Sequence, residues 1–516
     1  MNLRLAAILL VAFILRYWRL MADLPVVGDE SLYLRWAEII DNQGAWFVSL
    51  LDGKPPLSYW LYWLARRLSD DPLFGPRLVS VLAGTLSTAG VFYVGRRLAG
   101  ELAGLVAAAL YAILPWAMLF DRLAYAESLV NCLGVWTAYA ALCAFSDGNA
   151  AEGGGWRGAL LSGLLLGLGL FTKTTALLWA PALLFAAWLP GLAELRKRLP
   201  RLAAAYGLAS LFLGINALLT PEAPRVATSS AILHKTHFFI PLSDLFSAPW
   251  TGIQTNGPAL GEFLWSYLTP LGLLAVLAAS TYLLSQRSRA AVFLLGLSLL
   301  PILAQALLLD RTFSRYPYPH LWPLLVLIAI AFCKALSSSK VVAWSALALV
   351  GLSFGWSSLL AVAKPRVGLA PRDASYFFGD GPNAGWGVAQ AVGHIRQAAR
   401  QGEVLVLTDP IWGTPADALF AYLNGRDGIR VVEAWWLDVA EPNPLIPGRE
   451  VEIWRSHYER TPGGKVDFLD YDSVFYVTIT NYRTRQDVAA RQPSARLELS
   501  VPKPNRTQSL DVYRLR

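Results

Sequence analysis

Long runs of apolar residues constrain this chain more than any other feature. A helix needs about 20 mostly apolar residues to cross the hydrocarbon core of a membrane, and the sequence contains eleven candidate segments. They lie near residues 3–20, 78–98, 102–120, 128–145, 158–171, 175–190, 202–219, 263–284, 290–309, 320–336 and 341–363. The segments at 158–171 and 175–190 are short, so they fit either two short spans or a span with a re-entrant segment. The pattern predicts a polytopic α-helical membrane protein.

The composition supports this fold class and excludes others. The chain is 55% hydrophobic and 16% charged, whereas soluble proteins average about 25% charged residues. The net charge is +8, but the basic residues are spread over short loops and form no patch for nucleic acid. The three cysteines lie inside apolar runs and are predicted to be small buried hydrophobes, so they do not indicate a redox compartment.

The N-terminal segment MNLRLAAILLVAFILRYWRL resembles a signal peptide in its charge and apolar length. It lacks a small-residue cleavage site, and the residues RYWR that follow the apolar run are typical interfacial anchors. We therefore predict an uncleaved first transmembrane helix.

The distribution of basic residues predicts the orientation. With a cytoplasmic N-terminus, every inside loop carries Lys or Arg, as the positive-inside rule requires. The opposite face then receives nearly all the acids, all five histidines and two long loops, 21–77 and 220–262. The periodicity at Leu32, Trp36, Ile39 and Ile40 predicts amphipathic helices on the membrane surface in the first of these loops. We predict a multi-pass protein of the inner or plasma membrane with an extracytoplasmic C-terminus.

The composition changes after Lys364, where Gly, Pro and charged residues become more frequent. Residues 403–408, 429–434 and 473–480 are predicted strands, and residues 388–401 and 415–424 are predicted helices. The sequence therefore predicts two domains, a transmembrane domain over 1–363 and a soluble outer α/β domain over 364–516.

An acidic pair follows the first apolar segment, in the stretch GDESLYLRW. Asp29 and Glu30 fit a helix cap with a favourable helix dipole, and they equally fit a functional base, because a capped carboxylate has a fixed geometry. Tyr33 of the same stretch is a predicted substrate-binding residue.

Basic residues lie at the same predicted membrane face. Lys54 precedes two prolines, so its backbone is predicted to be extended, and its ammonium suits either a phosphate group or simple snorkelling at the interface. Lys173 and Arg315 border later spans. A single cation there would be an anchor, whereas several cations on the acid-bearing face favour an anionic ligand.

The stretch DRLAYAES places acid, base and hydroxyl groups at the outer end of another span. Asp121 and Tyr125 are predicted to bind substrate, together with Tyr316. The alternative for Asp121 is a salt bridge with Arg122 or another basic group at the membrane edge.

Two histidines in the stretch LHKTHFF are spaced by three residues. On a helix, His234 and His237 would share a face and bind a divalent cation with a carboxylate such as Glu30. No third ligand is visible, and ordinary polar loop histidines are the alternative.

These features share a face and have complementary charges. Fixed cations hold a phosphate leaving group, and a carboxylate deprotonates an acceptor hydroxyl. The combination predicts transfer from a lipid phosphate at the outer interface.

At this point a resemblance supports the prediction. The DE pair of the first outer loop, the following KPPL element, the D…Y…E loop and the R-Y-x-x-P element resemble GT-C glycosyltransferases over about residues 1–363. The families concerned are glycosyltransferase family 39 and the lipid A aminoarabinose transferases. The resemblance implies an inverting transfer of one sugar from a polyprenyl-phosphate donor to a lipid, glycan or protein acceptor.

The resemblance also implies roles for individual residues. Asp29 matches the catalytic base, and Glu30 matches a partner that orients the acceptor or a cation. Lys54 and Arg315 match residues near the donor phosphate, to which we add Lys173. The chain departs from the aminoarabinose transferases at Gly53, where they have Glu, and this departure weakens the implied metal site.

Three alternatives remain at this stage. An oligosaccharyltransferase is suggested by AWWLD at 434–438, although the following YG is missing. A transporter or flippase would suit eleven spans, but such proteins place charge within spans or break helices in paired repeats. A sensor with a ligand-binding outer domain is the third alternative.

Overall fold

The computed structural model describes residues 3–22, 24–145, 154–219, 239–240, 247–248, 250–434, 450–452 and 465–516. Within them the chain divides into two compact units. The first consists of Met1–Leu20, Ser49–Ser58 and Arg77–Pro371. The second consists of Met21–Val48, Tyr59–Pro76 and Arg372–Arg516. Most of the first outer loop thus belongs to the same unit as the C-terminal region, whereas the sequence grouped it with the spans. The predicted domain boundary after residue 363 stays a prediction.

The first part of the chain is helical. Ten helices precede residue 220 in the described part of the chain, and short 3-10 helices cover Val48–Asp52, Arg66–Leu68 and Thr174–Trp179. The ten are α1 (Leu3–Tyr17), α2 (Gly28–Gln43), α3 (Leu57–Ala65), α4 (Phe74–Ala99), α5 (Glu101–Ala112), α6 (Pro115–Phe120), α7 (Ala126–Phe145), α8 (Gly154–Thr172), α9 (Pro181–Trp188) and α10 (Leu192–Leu218).

Helices continue after the second long loop. The remaining long helices of the first unit are α11 (Thr251–Tyr267), α12 (Thr269–Ser285), α13 (Arg289–Leu308), α14 (Trp322–Ala335) and α15 (Lys340–Ala363). A 3-10 helix over Tyr318–His320 leads into α14, and the short helix α16 (Pro365–Gly368) follows α15.

Seven helices in the described residues are long and apolar enough to cross a membrane, or up to eight if one bent pair forms a single span. That pair is α11 and α12, which are bent by 100°. The bend falls at Thr269, which has a positive φ of 57° and precedes Pro270, and a residue before proline is disfavoured in the helical conformation. Together with the fold comparison below, these helices make the chain an integral, polytopic membrane protein.

Two predicted spans are shorter than expected. The segment predicted over 102–120 is divided into α5 and α6 at Leu114, which is extended before Pro115, because proline removes a helical hydrogen bond and restricts the residue before it. The segment predicted over 175–190 is a short apolar helix, Thr174–Trp188. The described residues therefore confirm a polytopic membrane fold without establishing eleven spans.

The C-terminal region of the second unit is built on a five-stranded sheet of order β2-β1-β5-β7-β6. Its strands are β1 (Val404–Thr408), β2 (Ile429–Glu433), β5 (Ser473–Ile479), β6 (Arg496–Pro502) and β7 (Ser509–Arg514). Strands β3 (Glu450–Glu452) and β4 (Lys465–Asp467) form a separate antiparallel pair. The region also contains α17 (Pro371–Phe378), α18 (Val388–Ala399), α19 (Ala416–Leu423), α20 (Arg485–Arg491) and a 3-10 helix over Phe468–Asp470.

The sheet is mixed, and its parallel half has the connections that the sequence predicted. Strand β1 pairs in parallel with β2 and β5, whereas β7 pairs antiparallel with both β5 and β6. Helix α19 connects β1 to β2, as parallel pairing requires. The core contains Leu405, Leu407, Val474 and Tyr476. We call the region from Arg372 to Arg516 the sheet domain.

Candidate functional site

Helix α2 carries the predicted acidic pair in its first turn. It begins after Val27, whose backbone is extended and whose apolar side chain cannot cap the helix. The Glu30 carboxylate replaces the missing cap by accepting a hydrogen bond from the Val27 N–H at 3.2 Å. Glu30 is fully buried, whereas Asp29 is only partly buried. Glu30 therefore performs the capping role that the sequence suggested for the pair, and Asp29 is the more exposed of the two acids.

Tyr33 lies in the interior of the second unit. Its ring is 5.6 Å from the ring of Trp36 and 5.1 Å from that of Tyr59, and 3% of the residue is exposed. The Trp36 and Tyr59 rings meet edge to face at 4.7 Å. Tyr33 thus packs α2 against α3, and the structure gives no support to the prediction that it binds substrate.

Three charged side chains meet at the ends of apolar helices in the first unit. The Lys173 ammonium is 2.6 Å from the Glu127 carboxylate, and the Arg315 guanidinium is 3.8 Å from the same oxygen. Glu127 is in the first turn of α7, and Lys173 directly follows α8. We call these three residues the cation cluster. With one carboxylate and two cations, these three side chains together have a formal charge of +1.

Two tyrosines predicted to bind substrate border the cation cluster. The Arg315 guanidinium lies 5.7 Å from the centre of the Tyr125 ring and 5.3 Å from that of Tyr316. The Lys173 ammonium is 5.6 Å from the Tyr316 ring. These distances are within the range of cation–π attraction. Tyr125 is buried, whereas Tyr316 is partly exposed, so Tyr316 is the more accessible of the two tyrosines.

The backbone holds both cations outside regular helices. Lys173 is extended, between the end of α8 and the following 3-10 helix. Arg315 lies in the turn before Tyr318–His320, where the Gln305 side chain donates a hydrogen bond to the Tyr316 carbonyl at 3.0 Å. Lys173 and Arg315 remain 20% and 17% exposed, so both cations are partly accessible at the protein surface.

Glu127 contacts both cations through one carboxylate oxygen, Oε1. Its side chain is 4% exposed, and its Oε2 has no hydrogen-bond partner among the residues that the structure describes. Sequence reasoning noted Glu127 in DRLAYAES but assigned it no role. An acid in the first turn of an apolar helix was the available signal, and only the fold shows that both cations share it.

Lys54 lies between the 3-10 helix Val48–Asp52 and α3, as the prolines of KPPL predicted. Its ammonium is 2.7 Å from the Asp52 carboxylate, and its side chain is 31% exposed. The residue before it, Gly53, has a φ of 65°, a conformation that glycine adopts without strain. Asp52 is therefore an ion-pair partner of Lys54.

Asp121 is buried and does not belong to the cation cluster. Its carboxylate is fully buried and accepts hydrogen bonds from Arg16 at 2.8 Å and from the Tyr318 hydroxyl at 2.5 Å. The Tyr318 hydroxyl is also 3.1 Å from that of Tyr111. These contacts connect α1, α5 and the start of α14. The salt-bridge alternative therefore describes Asp121 better than substrate binding, with Arg16 as the partner instead of Arg122.

A close approach of α4 accommodates this buried ion pair. A Cβ atom on Gly84 would lie 2.1 Å from Asp121 Oδ2 and 2.7 Å from Arg16 Nε, far inside van der Waals contact. Arg122 uses its guanidinium differently, donating to the carbonyls of Arg16, Trp18 and Arg19. The polar groups of this region thus hold the segment after α1 in place.

The predicted metal ligands His234 and His237 lie outside the described residues. Within the described part of the chain, no group of three His, Cys, Asp or Glu side chains could hold a metal ion. The third predicted ligand, Glu30, is engaged in capping α2. Metal dependence therefore stays a prediction, to which the described residues add no ligand set. The stretch AWWLD also lies outside the described residues, apart from Ala434.

The fold defines a class of protein, an integral membrane protein with many helices and a C-terminal sheet domain. Comparison with solved structures agrees with this class. ArnT from Cupriavidus metallidurans in the apo state is 14% identical, with a TM-score of 0.58, and the match covers 99% of this chain and 97% of that protein. The same protein bound to undecaprenyl phosphate gives a TM-score of 0.54 at 14% identity, with the same coverage. At this identity the likeness shows the fold alone.

Sequence comparisons identify similar proteins over part of the chain. A family model described as dolichyl-phosphate-mannose-protein mannosyltransferase matches residues 53–215. An undecaprenyl phosphate-α-4-amino-4-deoxy-L-arabinose arabinosyl transferase from Edwardsiella ictaluri is 32% identical over 168 residues, which are 31% of this chain. The match spans 30% of that relative's length.

These similarities confirm the resemblance to GT-C glycosyltransferases of family 39 and of the aminoarabinose transferase type. They do not favour the transporter alternative. The range 53–215 of the family match includes Lys54, Glu127 and Lys173, but neither Asp29 nor Arg315.

Proposed function

We propose that this protein is an inverting glycosyltransferase that moves a single sugar from a polyprenyl-phosphate donor to an acceptor at the membrane surface. The cation cluster is the observation that carries the proposal. Two partly exposed cations share one buried carboxylate at the ends of apolar helices. A surplus positive charge at that depth suits a phosphate whose lipid chain lies among the helices.

The cations have a defined part in the proposed reaction. When the sugar–phosphate bond breaks, negative charge develops on the departing lipid phosphate. Arg315 and Lys173 stabilise this charge, because donors fixed beforehand need no reorganisation during the reaction. Lys54 is proposed as a further phosphate contact, in exchange for part of its interaction with Asp52. Tyr316 and Tyr125 hold the Arg315 guanidinium by their ring faces.

Asp29 is proposed as the catalytic base. It would take the proton of the acceptor hydroxyl as that oxygen attacks the anomeric carbon and the carbon–phosphate oxygen bond breaks, which inverts the configuration. Asp29 is the more accessible member of the pair, and the helix N-terminus stabilises its anionic form. Glu30 holds the first turn of α2 through its hydrogen bond to Val27.

The similar proteins suggest which donors to test. The curated relative transfers 4-amino-4-deoxy-L-arabinose from undecaprenyl phosphate according to its name, and the matching family uses dolichyl-phosphate mannose according to its description. We propose a polyprenyl-phosphate sugar of one of these two kinds as donor, and a lipid, glycan or protein as acceptor. Whether sugar transfer requires a divalent metal ion is to be tested.

The proposal includes the finer topology. It comprises eleven spans, a cytoplasmic N-terminus and an extracytoplasmic sheet domain, and the basic residues of the predicted inside loops support the orientation. Cysteine accessibility in sealed membrane vesicles tests this orientation. A cysteine introduced into the sheet domain should react only with a reagent on the extracytoplasmic side.

The decisive experiment measures sugar transfer by purified protein. Each polyprenyl-phosphate donor is supplied with membrane lipid and glycan acceptors, and transfer is followed by mass spectrometry with and without a metal chelator. Asp29→Asn should abolish transfer while leaving binding of undecaprenyl phosphate unchanged.

Asp41→Asn is the matched control for this substitution. Asp41 lies on the same helix and pairs with Arg67 at 2.6 Å, so its substitution should leave transfer within about twofold of the wild type. Full activity of Asp29→Asn would refute the base assignment. Movement of lipid across the liposome membrane without sugar transfer to any acceptor would refute the proposal that the protein is a glycosyltransferase.

A further inference from the structure

The N-terminus of α2 is held by the sheet domain. The Gly28 N–H donates to the Asn383 carbonyl at 2.9 Å, and the Gly385 N–H donates to the Val26 carbonyl at 2.8 Å. Val27 and Ala384 form an antiparallel bridge between these two hydrogen bonds. Residues that border Asp29 are therefore fixed through backbone atoms, which cannot change rotamer as side chains do.

A glycine of the sheet domain packs against the same turn. Gly413 follows β1 and has a φ of 85°. A Cβ atom at this position would lie 3.0 Å from the Gly28 Cα and 3.3 Å from its carbonyl oxygen. Because both neighbours are backbone atoms, an alanine side chain would displace the first turn of α2. The residue that would move is the direct neighbour of Asp29.

A buried ion triad holds the middle of α2. The Arg35 guanidinium donates to Asp417 at 2.8 Å and to both oxygens of Glu433, at 2.8 and 3.2 Å. It also stacks over the Phe420 ring, with 3.9 Å between the guanidinium carbon and the ring centre. All three charged side chains are nearly inaccessible to solvent. A bidentate arginine at this position fixes both the distance and the rotation of the helix.

The triad lies at a characteristic place in the sheet. Glu433 is the last residue of β2, and Asp417 is in the first turn of the helix that follows β1. Open α/β sheets bind ligands at the carboxyl ends of their parallel strands. In this protein the carboxyl end of the parallel strands holds α2, with Arg35 in contact with the acids.

A third contact fixes the far end of the helix. The Glu38 carboxylate accepts hydrogen bonds from Asn424 at 2.9 Å and from Asn42 at 2.6 Å. Burial raises the pKa of Glu38, although the Asn424 hydrogen bond and Arg35 oppose the rise. The sheet domain therefore contacts α2 at its beginning, middle and end.

From these contacts we propose that the sheet domain is the positioning domain of the catalytic carboxylate. Asn383, Gly413 and the Arg35–Asp417–Glu433 triad set the place and the orientation of Asp29. The inference rests on the proposed function, because it assumes that Asp29 is the base. It assigns the sheet domain a part in the chemical step, which neither the fold nor the similar proteins assign.

The test compares two glycine substitutions with the same backbone strain. Gly413→Ala and Gly425→Ala both place a side chain at positive φ, 85° and 71°. The new Cβ of Gly413→Ala presses on Gly28, whereas that of Gly425→Ala is 3.6 Å from the Asn42 side chain, an ordinary contact. Both variants carry the strain of a side chain at positive φ, and the contact with Gly28 adds a further cost to Gly413→Ala, so activity is compared per folded molecule. Only Gly413→Ala is expected to displace Asp29.

The expected result is a difference in kcat. Per folded molecule, Gly413→Ala should lower kcat by about threefold to tenfold, since the close contact requires a shift of a few tenths of an ångström and a misplacement of about 1 Å can cost about a hundredfold. The KM for the polyprenyl-phosphate sugar should stay within about twofold, because Lys173 and Arg315 are unchanged. Gly425→Ala should keep kcat within about twofold. Equal kcat values per folded molecule for the two variants would overturn the inference.

A milder variant keeps the test decisive if Gly413→Ala does not fold. The Cβ of Gly28→Ala would lie 3.0 Å from the Asn383 side-chain oxygen, which can move aside. Because Asn383 also accepts the Gly28 backbone hydrogen bond through its carbonyl, its displacement should give a smaller loss of kcat in the same direction, and an unchanged kcat in this variant would count against positioning.

Hydrogen exchange separates this inference from the proposed function. In the purified full-length protein, Gly413→Ala should speed amide exchange over residues 28–34 relative to Gly425→Ala, whether or not a sugar is transferred. Faster exchange in a protein that transfers no sugar would refute the proposed function and retain the coupling. Normal transfer with unchanged exchange and unchanged kcat would refute the positioning role alone.

Discussion

Two substitutions in the cation cluster, Arg315→Gln and Glu127→Gln, should change the affinity for the donor phosphate in opposite directions. Arg315→Gln removes one of the two cations that we propose bind the donor phosphate. Glu127→Gln removes a negative charge that opposes the same phosphate, and it preserves the size of the side chain. A cluster that only stabilises the fold predicts no such opposition, because both substitutions would merely break an ion pair.

The distances give the size of the effect. The cations are 2.6 and 3.8 Å from the Glu127 carboxylate, so a phosphate hydrogen-bonded to their other side lies about 6 Å from it. Two like charges at about 6 Å repel by roughly 3 kcal/mol at an effective dielectric constant of about 20. Solvent near the partly exposed cations reduces this to about 1 kcal/mol, which is roughly fivefold in affinity. Loss of a charged hydrogen bond in Arg315→Gln costs about 1.5–3 kcal/mol, or roughly 10- to 150-fold.

The assay is equilibrium binding of undecaprenyl phosphate to purified protein in detergent. Glu127→Gln should bind roughly fivefold more tightly, and Arg315→Gln at least tenfold more weakly. Glu194→Gln is the control, because Glu194 forms a 2.8 Å pair with Lys197 on an exposed helical face and should have no effect on binding. Weaker or unchanged binding by Glu127→Gln would refute the electrostatic reasoning and with it the surplus charge as the basis of donor recognition.

Three further predictions concern stability, and thermal unfolding followed by tryptophan fluorescence tests them. Asp121→Ala should destabilise the protein by about 3–5 kcal/mol, because it leaves Arg16 charged and buried without its carboxylate; a loss below about 1 kcal/mol would contradict this. Arg35→Met should be similarly severe, since it leaves Asp417 and Glu433 as unpaired buried acids, whereas Asp417→Asn should cost less than about 1 kcal/mol at neutral pH. The third prediction concerns pH. Burial raises the pKa of Asp417 to about 6, with Glu433 adding to the rise and Arg35 opposing it. The folded state therefore binds the Asp417 proton more tightly than the unfolded state, so this residue's contribution to stability falls as the pH rises from about 4 to 6 and is constant above. The stability of the wild type relative to Asp417→Asn should follow that course, and a difference that does not vary with pH would contradict the shifted pKa.

Local patterns were sufficient for much of the fold. Apolar runs of about 20 residues predict spans because a membrane requires every backbone polar group to be paired within the helix. The periodicity of residues 388–434 predicted α18, β1, α19 and β2 close to their observed bounds. The antiparallel strands β6 and β7 were not predicted, since half of β6 is exposed and its sequence lacks the apolar run of a buried strand.

The candidate site depended more on tertiary structure. The sequence alone singled out Asp29, Lys54, Lys173 and Arg315 from residue type and position. Residue type and position alone did not distinguish Asp29 from Glu30, to which only the family resemblance gave different roles. The missing capping side chain at Val27 matters only once the helix start is known.

The remaining decisions came from residues that are distant in sequence. Arg16 and Asp121 are 105 positions apart, and Arg35 and Glu433 are 398 apart. A hydrophobic pattern predicts which segments are buried, but it does not predict which charged side chains form pairs in the interior. Tertiary packing therefore decided that Asp121 pairs with Arg16, that Glu127 serves two cations, and that α2 is held by the sheet domain. Buried charges must find a partner because desolvation is costly, and the fold, not the local sequence, determines which partner is within reach.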